Sequence, residues 1–87
     1  MEAKHTPGPW RVENPEQFGR DIYAGRVQVA STFYIGISHE EEGANARLIA
    51  AVPDLLAALE QIAAISWVIP AEIGRIARAA IAKATGA

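Results

Sequence analysis

The sequence predicts an α+β fold: a small antiparallel sheet of three or four strands followed by two or three helices, the central one kinked or broken at Pro53. Three observations carry this reading. Apolar residues alternate from Val27 to Ile37, the period of a half-buried strand. From Leu48 to Ile62 they recur at three and four residues, the period of a helix, and Pro53 stands inside that second pattern. A length of 87 residues supports one small core and no second independent domain. The expected organisation is a single domain over 1–87, with an extended leader (1–9), a strand-rich part (10–37) and a helical part (38–87).

Thr6-Pro7-Gly8-Pro9 holds two fixed φ angles around a permissive glycine, so the leader cannot continue a helix or a central strand. It ends at Trp10, expected to anchor it against the core, and Trp10 and Val12 share one face of a short strand. Asn14-Pro15 and Gly19 mark a loop. Ala24-Gly25 is the natural turn between the stretches Asp21–Tyr23 and Arg26–Ala30. Val27, Val29, Phe33, Ile35 and Ile37 line one face on either side of Ser31-Thr32, and Arg26, Gln28 and Tyr34 belong to the solvated one.

Ser38-His39-Glu40-Glu41 has the S-x-x-E form of a capping box, and Glu40 to Glu42 complement the positive end of a helix dipole. Gly43 weakens the first turns and moves the expected start of regular helix toward Asn45. Leu48, Ile49, Val52, Leu55, Leu56, Leu59 and Ile62 then form one broad apolar stripe. Pro53 either kinks the helix or ends it near Ala51, with a second helix starting around the proline and Asp54 in its first turn. Ile65-Ser66-Trp67-Val68 closes the pattern, and Pro70 opens a last helix whose stripe is Ile69, Ile73, Ile76, Ala77, Ala80 and Ile81. Gly86 is its expected terminator, near Lys83.

Composition narrows the function classes. There is no cysteine, which excludes disulfides and thiolate metal sites and agrees with a reducing compartment. No basic and apolar secretory signal precedes the first turn residues, and the tract from Val52 to Val68 is interrupted by Pro53, Asp54, Glu60 and Gln61, so no membrane span is expected. The net charge of −2 leaves neither half with a basic nucleic-acid footprint. The alanines allow close helix contacts but bury little surface each, so a homodimer or higher homo-oligomer is expected to complete the core.

No catalytic constellation is present: no suggestive serine, histidine and carboxylate spacing, no H-E-x-x-H, no phosphate-cradling glycine loop. His5 and His39 are the only histidines, and the expectation is no metal and no cofactor; Glu40-Glu41-Glu42 reads as a solvated first turn. Five residues remain as candidate ligand or partner contacts. Trp67 lies outside any periodic stripe and is the preferred exposed anchor, since interface energy concentrates on tryptophan, tyrosine and arginine. Arg47 has no carboxylate three or four residues away, and reads as a solvated side chain, with a buried pairing role or a contact across a subunit interface as the alternatives. Arg75 and Arg78 can both point toward phosphate or an acidic patch, although Glu72 offers Arg75 a solvated ion pair. Tyr34, like Tyr23, could stack a base, but no basic stripe surrounds it.

His5-Thr6-Pro7-Gly8-Pro9-Trp10, then Asn45-Ala46-Arg47-Leu48-Ile49-Ala50-Ala51-Val52-Pro53-Asp54-Leu55-Leu56-Ala57-Ala58-Leu59, then the tail Ala80-Ile81-Ala82-Lys83-Ala84 together resemble a widespread group of short bacteriophage and prophage proteins. The usual form has alanine before the proline, where this chain has Val52. The group is mostly described as hypothetical and transfers no catalytic residue. The resemblance implies a phage origin and an accessory role in the cytoplasm of an infected bacterium.

The leading expectation is therefore a non-enzymatic phage accessory protein that binds and modulates a host or anti-phage defence protein. A second class is an oligomeric small-molecule binder that sequesters a nucleotide signal between subunits, with Arg47, Arg75 or Arg78 meeting phosphate. A weak nucleic-acid binder is disfavoured by charge, a virion component is a further class, and an enzyme comes last.

Overall fold

A computed structural model describes residues 4–14, 19–32, 37–68 and 70–86, Ser66 by its backbone alone. The fold is α+β: a three-stranded antiparallel sheet followed by three helices. The chain forms two compact units, Thr6–Pro53 and, with the N-terminal residues, Asp54–Ala87.

In the first unit, strands β1 (Arg11–Glu13), β2 (Asp21–Ala24) and β3 (Val27–Ser31) lie in the order β1-β2-β3. Val12 faces Ile22 across β1 and β2, and Ile22 faces Ala30 across β2 and β3. A register shift between Ile22 and Tyr23 interrupts the second ladder. The hairpin turn is Gly25-Arg26, one residue later than the expected Ala24-Gly25, because Ala24 still pairs with Val27; Gly25, at φ +60°, supplies its left-handed residue. Asn14 ends β1 at φ 57°, a conformation that asparagine tolerates better than most residues. The expected continuation through Phe33, Tyr34 and Ile35 lies outside the described residues, while Ile37 is a half-buried bend just before the helix cap.

Helix α1 runs over His39–Ala50 and packs on β1 and β2. Ser38 caps it, its hydroxyl accepting the Glu41 amide at 3.0 Å. The helix thus starts at the capping box, and Gly43 does not push the start to Asn45. The inward face of α1 is made of Glu42, Gly43 and Ala46, all buried, while Leu48 on the predicted stripe is 62% exposed. Small side chains let the helix approach the sheet closely, and Ile22 and Ala46, both fully buried, form the centre of this contact layer.

Pro53 produces a tight break. Ala51 closes α1, its amide donating to the carbonyls of Arg47 and Leu48, and α2 (Val52–Ala64) begins with Pro53 in its first turn, where its missing N–H is not needed. The proline ring also meets the leader: a β-carbon built on Gly8 would lie 2.9 Å from Pro53 Cβ. The leader is closed on itself by the indole of half-buried Trp10, which donates to the Thr6 carbonyl at 3.2 Å.

The second unit contains the rest of α2, a 3-10 turn at Ser66–Val68 and helix α3 (Ala71–Thr85), with the turn packed on α3. Gly86, left-handed at φ 77°, ends α3 and donates to the Ala82 carbonyl. The apolar stripes are wider than the surface they bury. Leu56 and Ala77 are buried, but Val52, Leu55, Ile73 and Ile76 are exposed, which corrects the expectation of one continuously buried stripe.

Candidate functional site

Glu42 corrects the reading of a solvated first turn. Glu40 and Glu41 are exposed as expected, but Glu42 points into the contact between α1 and the sheet and is fully buried. Two side chains from the sheet meet it. The Arg20 guanidinium, immediately before β2, donates through Nη1 to Glu42 Oε1, and the Thr32 hydroxyl, immediately after β3, donates to Oε2. The Arg20 amide reaches the same Oε2 at 3.1 Å.

Backbone pairing brings these groups together. Asp21 faces Ser31 in the ladder, so Arg20 and Thr32 stand opposite one another one step beyond it, and the Thr32 amide donates to the Arg20 carbonyl at 2.9 Å. Both residues are nearly fully buried, Arg20 at 8% exposure and Thr32 at 3%. Arg20 Nη2 lies 3.3 Å from Nε2 of exposed His39, one helical turn before Gly43. Gly43 makes room for the cation: a β-carbon there would stand 3.0 Å from Arg20 Cζ and Nη1.

Burial by itself pushes the Glu42 carboxyl upward, since desolvation penalises the charged form. Hydrogen bonds from the Thr32 hydroxyl and the Arg20 amide, the Arg20 charge and a further bond from the Gly19 amide outweigh it. The carboxyl is therefore held below its ordinary value of 4.5 and is ionised at neutral pH. Among the described residues, every buried side-chain nitrogen and oxygen has a hydrogen-bond partner. A carboxylate so enclosed and saturated with donors has no lone pair aimed at solvent, and its geometry is that of an architectural ion pair joining α1 to the sheet.

The described residues expected to make contacts lie on three elements, α1, the 3-10 turn and α3. Arg47 is exposed in the last turn of α1. Arg75 and Arg78 are exposed on α3, and Arg75 Nη2 sits 3.3 Å from Glu72 Oε1, the solvated pair anticipated from their spacing. Trp67, in the 3-10 turn, is 83% exposed, beside exposed Ile65 and Val68. Tyr34 lies outside the described residues.

A groove of about 570 Å³ runs along Thr6–Pro9 and the hairpin residues Ala24, Gly25 and Val27. Its charged group, Arg11, is already engaged by Glu13 Oε1 at 2.7 Å and lies 5.6 Å from the Tyr23 ring centre. Among the described residues no three histidine, aspartate or glutamate side chains gather to hold a metal ion, and no helix is long and apolar enough to cross a membrane.

Arg20 was not singled out in the sequence, and no helical or strand period links it to Glu42. The available signal was the company Glu42 keeps: Gly43 and Ala46 leave room on the inward side of α1 that only a side chain from elsewhere can fill.

No curated protein and no solved structure matches this chain. A family model described as Salmonella phage P22 protein Y8K6 matches residues 1–87, the full span that carries the leader, the proline-broken helices and the alanine-rich tail. The chain belongs to this phage-encoded family.

Proposed function

We propose that the protein is a non-enzymatic phage accessory factor that acts in the cytoplasm of the infected bacterium by binding and modulating a host or anti-phage defence protein, with Trp67 as the central contact. The observation that carries this reading is the exposure of an indole at 83%, between exposed Ile65 and Val68 in one short turn. Soluble proteins seldom present adjoining large apolar groups of this kind without a partner for them, and a tryptophan is the side chain that most often dominates binding energy. Membership of a phage family supports the setting.

The test is affinity capture from the bacterial host with the wild-type protein and the Trp67→Ala variant, followed by titration of the captured protein. A stoichiometric partner whose affinity falls by about 30-fold or more on Trp67→Ala is expected for a hot-spot residue. A partner retained equally by both proteins, or no partner in any competent host, removes the proposal.

A further inference from the structure

We infer that the start of strand β3, together with the groove beside it, is a docking site for the C-terminal end of an extended peptide, which adds antiparallel to β3 and sets its carboxylate against Arg26. The site lies within the first unit and Trp67 in the second, so it does not depend on the role of Trp67.

The two edges of the sheet differ. Strand β1 is three residues long, follows Pro9 closely, carries the charges of Arg11 and Glu13 and ends at left-handed Asn14, all features that discourage a further strand. Strand β3 has neither charge nor proline over Val27–Ser31, and among the described residues it is paired only with β2, while α1 packs on β1 and β2. Alternate amides and carbonyls of such an edge point away from its ladder, and what meets them in register is the backbone of another extended chain. Ile22 pairs with Ala30 and Tyr23 with Gln28, which leaves Val29 as the extra residue of a bulge, and a bulge bends its strand. The straight stretch is therefore Val27-Gln28, which suits a chain end. Two β3 strands side by side would bring both bulges into the pairing, which disfavours a second copy as the occupant.

Charge sets the direction and the chemistry of that end. The groove of about 570 Å³ runs from Pro7 and Pro9 past Ala24 to Val27, itself 56% exposed, and offers an apolar seat for the last side chain of the guest. Among the described residues no acidic side chain lines it. Its wall holds Arg11, already paired with Glu13. Arg26, between the lining residues Gly25 and Val27, is exposed and makes no ion pair with any described residue. Antiparallel addition brings a carboxylate to this cation, whereas parallel addition brings an ammonium.

The experiment is fluorescence polarisation of the full chain with dye-labelled hexapeptide pools, varied among uncharged residues and ending in leucine, isoleucine, valine or phenylalanine. Each pool is made with a free C-terminal carboxylate, with a C-terminal amide, and with methylated backbone nitrogens. At least one free-acid pool is expected to bind with a Kd below about 1 mM. Amidation is expected to weaken it roughly fivefold or more, and Arg26→Gln to do the same while leaving the amidated pool unaffected. Backbone methylation is expected to abolish binding, and amide NMR shifts to centre on Gly25, Val27 and Gln28. Arg26 is an exposed turn residue, and the NMR spectrum of the variant confirms its fold. No binding by any free-acid pool, or binding indifferent to amidation and to Arg26→Gln, would overturn the inference. So would binding that survives backbone methylation and is matched by decanoate, the mark of a fatty-acid site, or shifts of the same amides with protein concentration alone, the mark of a second copy.

Discussion

Arg20 and Glu42, twenty-two residues apart, meet as a buried ion pair in which the same arginine donates to the carboxylate twice, once through its guanidinium and once through its own amide. The pair joins the start of β2 to the first turn of α1, so the two large buried polar side chains seen among the described residues are also the cross-link of the sheet-helix layer. Removing one partner of such a pair leaves the other charge buried without compensation, which is far more damaging than losing an exposed bridge such as that of Arg75 with Glu72.

Stability falls on acidification through this carboxyl. Its pKa is lowered in the folded protein, so the unfolded chain takes up the proton more readily. The stabilisation is complete above the unfolded value, near 4.5, and is lost as pH falls from there through the lower folded value. Urea unfolding of the wild type between pH 7 and pH 3 is expected to show this decline, and Glu42→Gln, already destabilised at pH 7, to show a shallower one. Parallel pH profiles for the two proteins would refute the assignment.

Thr32→Val keeps the shape of the side chain and deletes the hydroxyl whose one proton goes to the Glu42 carboxylate. The expected loss is about 1–3 kcal/mol in equilibrium unfolding, with an unchanged denaturant slope. A loss within the scatter of surface substitutions would mean that the hydroxyl is replaceable.

Gly43→Ala sets two effects against each other. Alanine gains about 0.8–1.0 kcal/mol of helix propensity over glycine. Its β-carbon, however, meets the Arg20 guanidinium at 3.0–3.1 Å, and that group is pinned by Glu42 and His39 and cannot swing aside freely. Crowding of this kind costs about 1–3 kcal/mol, so a net destabilisation is expected. In an Arg20→Met background the obstacle is gone, and the same substitution is expected to be neutral or favourable. An identical effect in both backgrounds would show that the guanidinium does not set the limit.

Gly8→Ala tests how the leader is seated. The added carbon would lie 2.9 Å from Pro53 Cβ and 3.4 Å from its Cγ, atoms of a ring that cannot rotate away. The expected cost is about 1–3 kcal/mol, relieved by Pro53→Gly, which removes both atoms, as read by thermal unfolding of the single and double variants.

The features legible in the sequence are those decided within a few residues. Ser38 and Glu41 announce the helix start, Pro53 divides two helices whose periodic pattern runs straight through it, and Gly86 ends the last. Burial was harder to read, because it depends on what approaches from elsewhere. Leu48 has the apolar character of a core residue and stands 62% exposed, while Glu42 has the charge of a surface residue and is wholly buried. The stripe drawn through Leu48 pointed to one face of α1; the sheet took the neighbouring face, where glycine and alanine permit close approach. Trp67 was legible as exposed for the opposite reason, since a residue outside every period has no helix face to bury it.

The donors around Glu42 also give the ion pair a direction that its two charges alone would not. The amides of Gly19 and Arg20 and the hydroxyl of Thr32 are all turned toward position 42, and amides can only donate. Exchanging the residues, with glutamate at 20 and arginine at 42, conserves the formal charges yet points a cation at backbone hydrogens and strips them of their acceptor. The two positions are therefore free to vary to different degrees: 42 must remain an acceptor, whereas 20 has to supply a donor small enough, or flat enough, to pass over Gly43.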